Sequence, residues 1–311
     1  PSDLQGNQPA TDAFKGYADA IAAVKAAKGT ANVAGPSNDQ SSDYKAAYQK
    51  ALQDAIAANK AGQDSITSPR SAAACPSEAA LAAVYDAAQH DTNKGMAEAL
   101  SGKTVSDSSN ANEQAGHDAG NKLKAAYQAA AKDFANRITD PAKATQTFSD
   151  STQEQAYRDA LAGMVDGSQT PATDTNDPKD GSPIYAIAKQ QAQNVKNAVA
   201  AAQGSQNVAN GQPNKDADLA NASGYGNDDN KSDMNDAYTA GANAYSDAIN
   251  HSNGDQPTDQ SQYGPAAQMA YAQAYNAAKA AAAKGLTDFG NGNKAQQPAN
   301  PADKAAYDKA Q

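Results

Sequence analysis

Apolar and small residues recur at three- and four-residue spacing along nearly the whole chain, interrupted by stretches rich in Gly, Asn, Asp, Gln, Ser and Pro. The stretch that sets the pattern is residues 41–62, SSDYKAAYQKALQDAIAANKAG. Within it Tyr44, Tyr48, Ala51, Leu52, Ala55 and Ile56 share one helical face, while Lys45, Gln49, Lys50, Gln53 and Asp54 take the other. Ser42 or Asp43 is placed to cap the start, and Gly62 is the expected left-handed stop. The stretch reads as a solvated amphipathic helix whose apolar side is built from tyrosine and alanine.

Variants of it follow along the chain. A helix over 11–28 precedes it, with Phe14, Tyr17, Ala20, Ile21 and Val24 on its apolar face. A third helix is predicted to open at Pro76 with Leu81, Val84 and Tyr85 inward, to be strained around Asn93 to Gly95, and to end by Gly102. The series restarts over 113–137 (Leu123, Tyr127, Ala130, Phe134), 153–165 and 183–203, then again over 233–250, 265–284 and from Pro301. Residues 207–230 read as the longest loop. Tyr48, Tyr157 and Tyr275 lie about 110 to 120 residues apart, and Pro76, Pro183 and Pro301 open the helices that follow them. The spacing predicts an all-α chain: tandem three-helix repeats of about 110 residues stacked into an elongated helical array. The repeats are expected at 1–106, 107–206 and 207–311, the last truncated.

Composition sharpens this picture. About a quarter of the chain is Ala, whereas Leu, Ile, Val and Phe together make only about a tenth, below the roughly one-fifth at which disorder becomes the default. Folded helices remain the better reading, because Ala is the best helix former and loses no side-chain entropy on burial. Alanine faces let backbones approach closely, and 14 Tyr supply the bulk that Leu normally would. The net charge of −10 argues against nucleic acid or an anionic membrane as a general partner. A single cysteine, Cys75, excludes an internal disulfide, and no apolar run approaches the roughly 20 residues of a membrane span. The chain opens at Pro1 and closes inside a helical pattern, so it is expected to be a fragment of something longer, with no membrane insertion of its own.

The blocks AAYQKALQDAIAA, QAYRDALAGM and MAYAQAYNAAKAAAAKG, split by Asn/Asp/Gln/Gly linkers, resemble the helical repeat regions of large secreted or wall-anchored surface proteins of lactobacilli and related Gram-positive bacteria. The resemblance implies an extracellular, cell-surface location and an adhesive or spacer role, with a host or bacterial surface protein or glycan as partner.

Candidate chemistry is sparse. Cys75, at the predicted start of the third helix, has two readings: a reactive thiol whose thiolate the helix dipole stabilises, or a small residue standing where Ser182 and Asn300 stand in the other repeats. The acidic loops Asp174, Asn176, Asp177, Asp180 and Asp228, Asp229, Asp233 offer oxygen ligands for calcium but lack the twelve-residue helix–loop–helix spacing, so a solvated loop is the competing reading. His90, His117 and His251 are scattered without zinc-site spacing, and no nucleophile–base arrangement or catalytic carboxylate pair can be argued, so no enzyme and no cofactor is expected. Tyr48, Tyr85, Tyr157 and Tyr185 are expected to fill gaps between alanine-faced helices. Tyr225, in SGYGNDD, and Tyr263 are the loop tyrosines open to ligand contact. The leading expectation is a non-enzymatic adhesin segment. The alternatives are a ligand-free spacer and a non-catalytic accessory region of a secreted glycan-active enzyme.

Overall fold

The computed structural model describes residues 7–30, 32–69, 71–140, 143, 146–169, 181–250, 260, 262–291 and 297–311. Among them the protein is entirely helical, without a strand. The elements are α1 (Gln8–Ala27), α2 (Ser42–Thr67), α3 (Ala79–Leu100), α4 (Ala111–Ala135), α5 (Ser151–Ser168), α6 (Pro183–Gly204), α7 (Gln206–Ala209), α8 (Lys215–Leu219), α9 (Asp228–Asn250), α10 (Pro265–Gly290) and α11 (Pro301–Ala310).

Helix starts follow local chemistry. The side chains of Asn7, Ser41, Asp150 and Ser182 accept a backbone N–H of the first turn in α1, α2, α5 and α6. Asn110 does the same for Asn112 and Glu113 at the start of α4. Pro opens α6, α10 and α11, where its missing N–H is no loss. The third helix differs from expectation. Pro76 and Cys75 lie ahead of α3, and the backbone carbonyl that starts the helix belongs to Glu78, which accepts from Ala82 at 2.8 Å. Pro76 does not begin the helix as Pro183 does after Ser182: Cys75 has no oxygen to accept a first-turn N–H, and its thiol donates to the Pro76 carbonyl instead. Nor do the glycines break their helices. Gly62 sits inside α2, which runs on to Thr67, and α3 passes through Gly95 unbroken.

The chain forms two compact units, 1–124 and 125–311, whose boundary falls inside α4. In the first unit α1 and α2 run in the same direction. Gly16 lies against the Tyr44 carbonyl, Ala20 clusters with Tyr48 and Ala51, and further along Ile21 and Val24 cluster with Ala55, Ala58 and Val84. The later half of α2 then receives α3, with Gly62 against the Tyr85 carbonyl and Gln89 Nε2 donating to Ser65 Oγ at 3.0 Å. The later half of α3 receives α4, with Gly116 against the Thr92 carbonyl and Gly120 against that of Met96. Each helix therefore meets its predecessor with its first turns and its successor with its last. The start of α4 also meets the end of α1: Lys28 Nζ pairs with Asp107 at 2.8 Å, and Asn112 N–H donates to the Lys28 carbonyl at 3.3 Å. Asn59 of α2 and Asn112 exchange two amide hydrogen bonds at that level, at 3.1 and 3.0 Å.

The second unit uses the same stagger. Residues 125–135 of α4 take α5, whose Gly163 and Gly167 lie against the Tyr185 and Lys189 carbonyls of α6. In α6, Gln191 donates to Asp233 and Asn194 to Asn230 at the start of α9, while Val199 and Ala202 face Gly241 further along. Gln203, at the end of α6, donates to Asp303 in the first turn of α11. The segment read as a loop over 207–230 carries the short helices α7 and α8 and buries Val208 and Leu219.

Candidate functional site

The recurring chemical feature is the junction between successive helices. In α1, α5 and α10 a glycine is followed three residues later by aspartate: Gly16 and Asp19, Gly163 and Asp166, Gly285 and Asp288. The next helix supplies one tyrosine to both. The carbonyls of Tyr44, Tyr185 and Tyr307 rest on the glycines, and their hydroxyls donate to the aspartates at 2.8, 2.7 and 2.9 Å. A Cβ at any of these glycines would come closer to the tyrosine carbonyl oxygen than side-chain atoms approach in folded proteins. Alanine takes the glycine's place in the pairs Ala130 with Asp133 and Ala244 with Asp247, where Tyr157 and Tyr271 donate at 2.8 and 2.6 Å. Tyr238 makes the same bond to Asp218 of α8. These are charge-assisted bonds inside the packed face, with Asp133 and Asp166 each 1 % exposed.

The surroundings oppose ionisation of Tyr44, Tyr157, Tyr238, Tyr271 and Tyr307. The hydrogen bond to Asp19, with burial added, pushes Tyr44 up to about 12. Burial, followed by the neighbouring carboxylate, raises Tyr157, Tyr238, Tyr271 and Tyr307. Tyr127, which donates to Gln191 at 2.9 Å, and Tyr245 are raised chiefly by burial. Tyr245 lies beside Asp303, and neither Tyr245 Oη nor Asp303 Oδ1 has a hydrogen bond of normal geometry. In the first unit Glu113 is buried at the α4 start. Burial pushes its carboxyl up, but the Asp107 N–H at 2.7 Å, Lys94 at 3.1 Å and Ser106 at 2.9 Å together hold it below the usual range.

The residues singled out from sequence are distributed as follows. Tyr48, Tyr85, Tyr157 and Tyr185 are buried. The loop tyrosines are half-buried: Tyr225 donates to Asn235 at 3.3 Å, and Tyr263 accepts from Asn243 at 3.2 Å and packs against Tyr271. Asp228 pairs with Lys231 at 2.6 Å, and Asp233 accepts from Gln191. Asp229 is exposed on the first turn of α9. No group of three or more His, Cys, Asp or Glu side chains among the described residues is placed to hold a metal ion. Asp174, Asn176, Asp177, Asp180 and His251 lie outside the described residues. Cys75 is exposed three residues ahead of the Glu78 cap, so the argument from a helix N-terminus does not apply to its thiol. His117 is held between the Lys103 carbonyl and Asn121. No described helix is long and apolar enough to cross a membrane.

The small-x-x-Asp signal was readable in the sequence as GYAD, GMVD, GLTD, AAKD and AYSD, each about 20 to 25 residues before a tyrosine. It was missed because helical periodicity draws attention to large apolar residues, and here the contact is carried by the smallest ones. No family model, no curated protein and no solved structure matches this chain.

Proposed function

We propose that the chain is a structural segment of a bacterial surface protein, a run of tandem three-helix repeats that holds other parts of its protein at a distance. The observation that carries this reading is the direction of the tyrosines. Residues that elsewhere make good protein and glycan contacts are here turned inward, their hydroxyls spent on aspartates of the preceding helix. The stagger supports it too, because a helix that meets its predecessor at one end and its successor at the other adds length with each addition. The location, extracellular and on the bacterial surface, follows from the sequence resemblance.

A second reading is an adhesin segment that attaches to host or neighbouring-cell ligands. One observation favours it: Tyr225 and Tyr263 remain half-exposed on linkers. Small-angle scattering and a binding screen separate the possibilities. The spacer predicts a radius of gyration well above the roughly 19 Å of one compact domain of this length, and no binding to immobilised matrix proteins, glycans or cells. A compact particle refutes the extended array. Saturable binding lost in Tyr225→Ala or Tyr263→Ala replaces the spacer with the adhesin.

A further inference from the structure

The join of α1 with α2 has two features that bear on how the pair responds to a pull along its length. The first is a seat with a stop. The Tyr44 carbonyl rests on Gly16, where a Cβ would lie 2.3 Å from its oxygen, and the Tyr44 hydroxyl donates to Asp19 at 2.8 Å. Residues four apart share a helical face, so the next seat along α1 is at residue 20. It is occupied: Ala20 is fully buried and clusters with Tyr44, Tyr48 and Ala51. An advance of α2 by one turn, about 5.4 Å, would drive the Tyr44 carbonyl onto the Ala20 methyl, and the helices would have to part to let it by. α5 has no such stop, because the residue one turn beyond Gly163 is Gly167.

The second feature is length held back. Because Tyr44 is level with Gly16, α2 begins about 20 Å behind the end of α1. The linker between them, residues 28–41, returns over that distance, and three of its residues fix its path beside the join. Val33 packs on the Ile21–Val24 cluster, the Ala34 carbonyl accepts from Tyr48 at 2.6 Å, and the Asn38 carbonyl accepts from Lys45 Nζ at 2.7 Å. Drawn straight, the same linker would span about 50 Å. Tension that enters at the start of α1 and leaves at the end of α2 moves the two parallel helices past each other toward the stop, before any of this length is released. We propose that the α1–α2 join is a tension-bearing stop: it resists pulling along the helices through the Tyr44 seat, with the linker as slack that is freed only when the seat slips. This rests on the spacer reading above and adds the load that such a segment carries.

Optical tweezers on the full chain test this, with Cys75→Ser to remove the native thiol and DNA handles on an introduced cysteine pair. Gln8→Cys with Ser68→Cys pulls α1 by its start and α2 by its end, in shear. Lys15→Cys with Asp43→Cys, both exposed and at one level of the pair, peels the helices apart. The expected result is a rupture force several-fold higher in shear than in peeling, with a shear extension of about 7 nm, or about 11 nm when the freed α1 unravels. Ala20→Gly opens a second seat and should bring the shear force down toward the peeling force. Ala18→Gly, the same change at an exposed position of α1, should leave it unchanged. Equal forces in the two directions overturn the proposal, as does an equal effect of the two glycine substitutions. So does a single shear extension of about 16 nm, in which both helices unravel without the join slipping first. Saturable ligand binding would sink the spacer reading without altering these forces, so the two fail separately.

Discussion

Gly163→Ala tests whether close backbone approach holds these helices together. In an exposed helix the change is favourable by about 1 kcal/mol, since Ala is the better helix former. At Gly163 the new methyl would meet the Tyr185 carbonyl oxygen, the Ala188 methyl and the Lys189 nitrogen, all at or inside 3.0 Å. Two of those are backbone atoms of α6, so no side-chain rotation relieves the clash and the helix itself must move. Overpacking of this kind costs about 1–3 kcal/mol. Moving α6 also parts Tyr185 from Asp166, a buried bond to a carboxylate whose loss adds about 1.5–3 kcal/mol. The net expectation is destabilisation by about 2–4 kcal/mol, or about 4–16 °C in Tm for a unit of this size. The control is Gly204→Ala at the end of α6, where nothing lies within 4 Å of the added methyl. It is expected to be neutral or to stabilise by up to about 1 kcal/mol. Urea melts followed by far-ultraviolet circular dichroism measure both. Stabilisation by Gly163→Ala as well would show that the junction does not depend on the missing Cβ, and the account of the fold given above would be wrong.

The raised tyrosines make the second unit sensitive to alkali. A hydroxyl whose folded pKa exceeds its unfolded value of about 10 contributes stability that is complete below that pH and lost as pH rises above it. Counting only Tyr127 and Tyr245, each with a limiting slope of about 1.4 kcal/mol per pH unit, the fall in stability should steepen above pH 10 toward about 2.7 kcal/mol per unit. Tyrosinate absorbance should then rise together with the loss of helix; ionisation that precedes unfolding would contradict the inward placement. The sign reverses in the first unit. Glu113, held below its ordinary range, contributes stability fully present above the usual carboxylate pKa and lost as pH falls from there through its lowered native value. Glu113→Gln should cost about 1–3 kcal/mol at neutral pH and flatten the acid limb of a stability–pH curve. Tyr185→Phe should cost about 1.5–3 kcal/mol by leaving Asp166 short of a donor. Tyr225→Phe, which removes only a 3.3 Å bond at a half-buried site, should stay within about 0.5 kcal/mol in the same melts.

The all-α class was legible because alanine-rich periodicity leaves little else for the chain to do. The lining of the interfaces was less legible. Phe14 and Ile56, predicted inward on hydrophobicity, are 54 % and 47 % exposed, while Gly16 and Gly62 on neighbouring faces are buried. The reason is distance. When glycine lets a backbone carbonyl of the next helix touch the helix surface, a large side chain cannot share that line, and bulky residues are displaced to its edges. Gly62 departs from the expected helix stop on the same account, since a glycine that ends a helix and one that admits a neighbour look alike in one sequence. Helix bounds followed the caps where Ser and Pro acted together, as at Ser182–Pro183. They failed at Pro76, where the acceptor that mattered was the Glu78 carbonyl.

The aspartates explain why so small a core can still specify register. Alanine against alanine or glycine removes little apolar area and slides at little cost, so alanine packing alone would allow neighbouring helices to shift by a turn. A tyrosine hydroxyl bound to an aspartate on the preceding helix removes that freedom. A one-turn slip along the helix, about 5.4 Å, would part the Tyr157 and Tyr185 hydroxyls from the buried carboxylates of Asp133 and Asp166. The glycine fixes how closely the helices approach, and the aspartate fixes where along the axis they meet. Because the tyrosine supplies its own carbonyl to one and its hydroxyl to the other, a single residue sets both coordinates at Tyr44, Tyr185 and Tyr307. Only a short helical segment is needed for each such contact. That is why α5, at 18 residues, and α2, at 26, can serve the same role despite their different lengths.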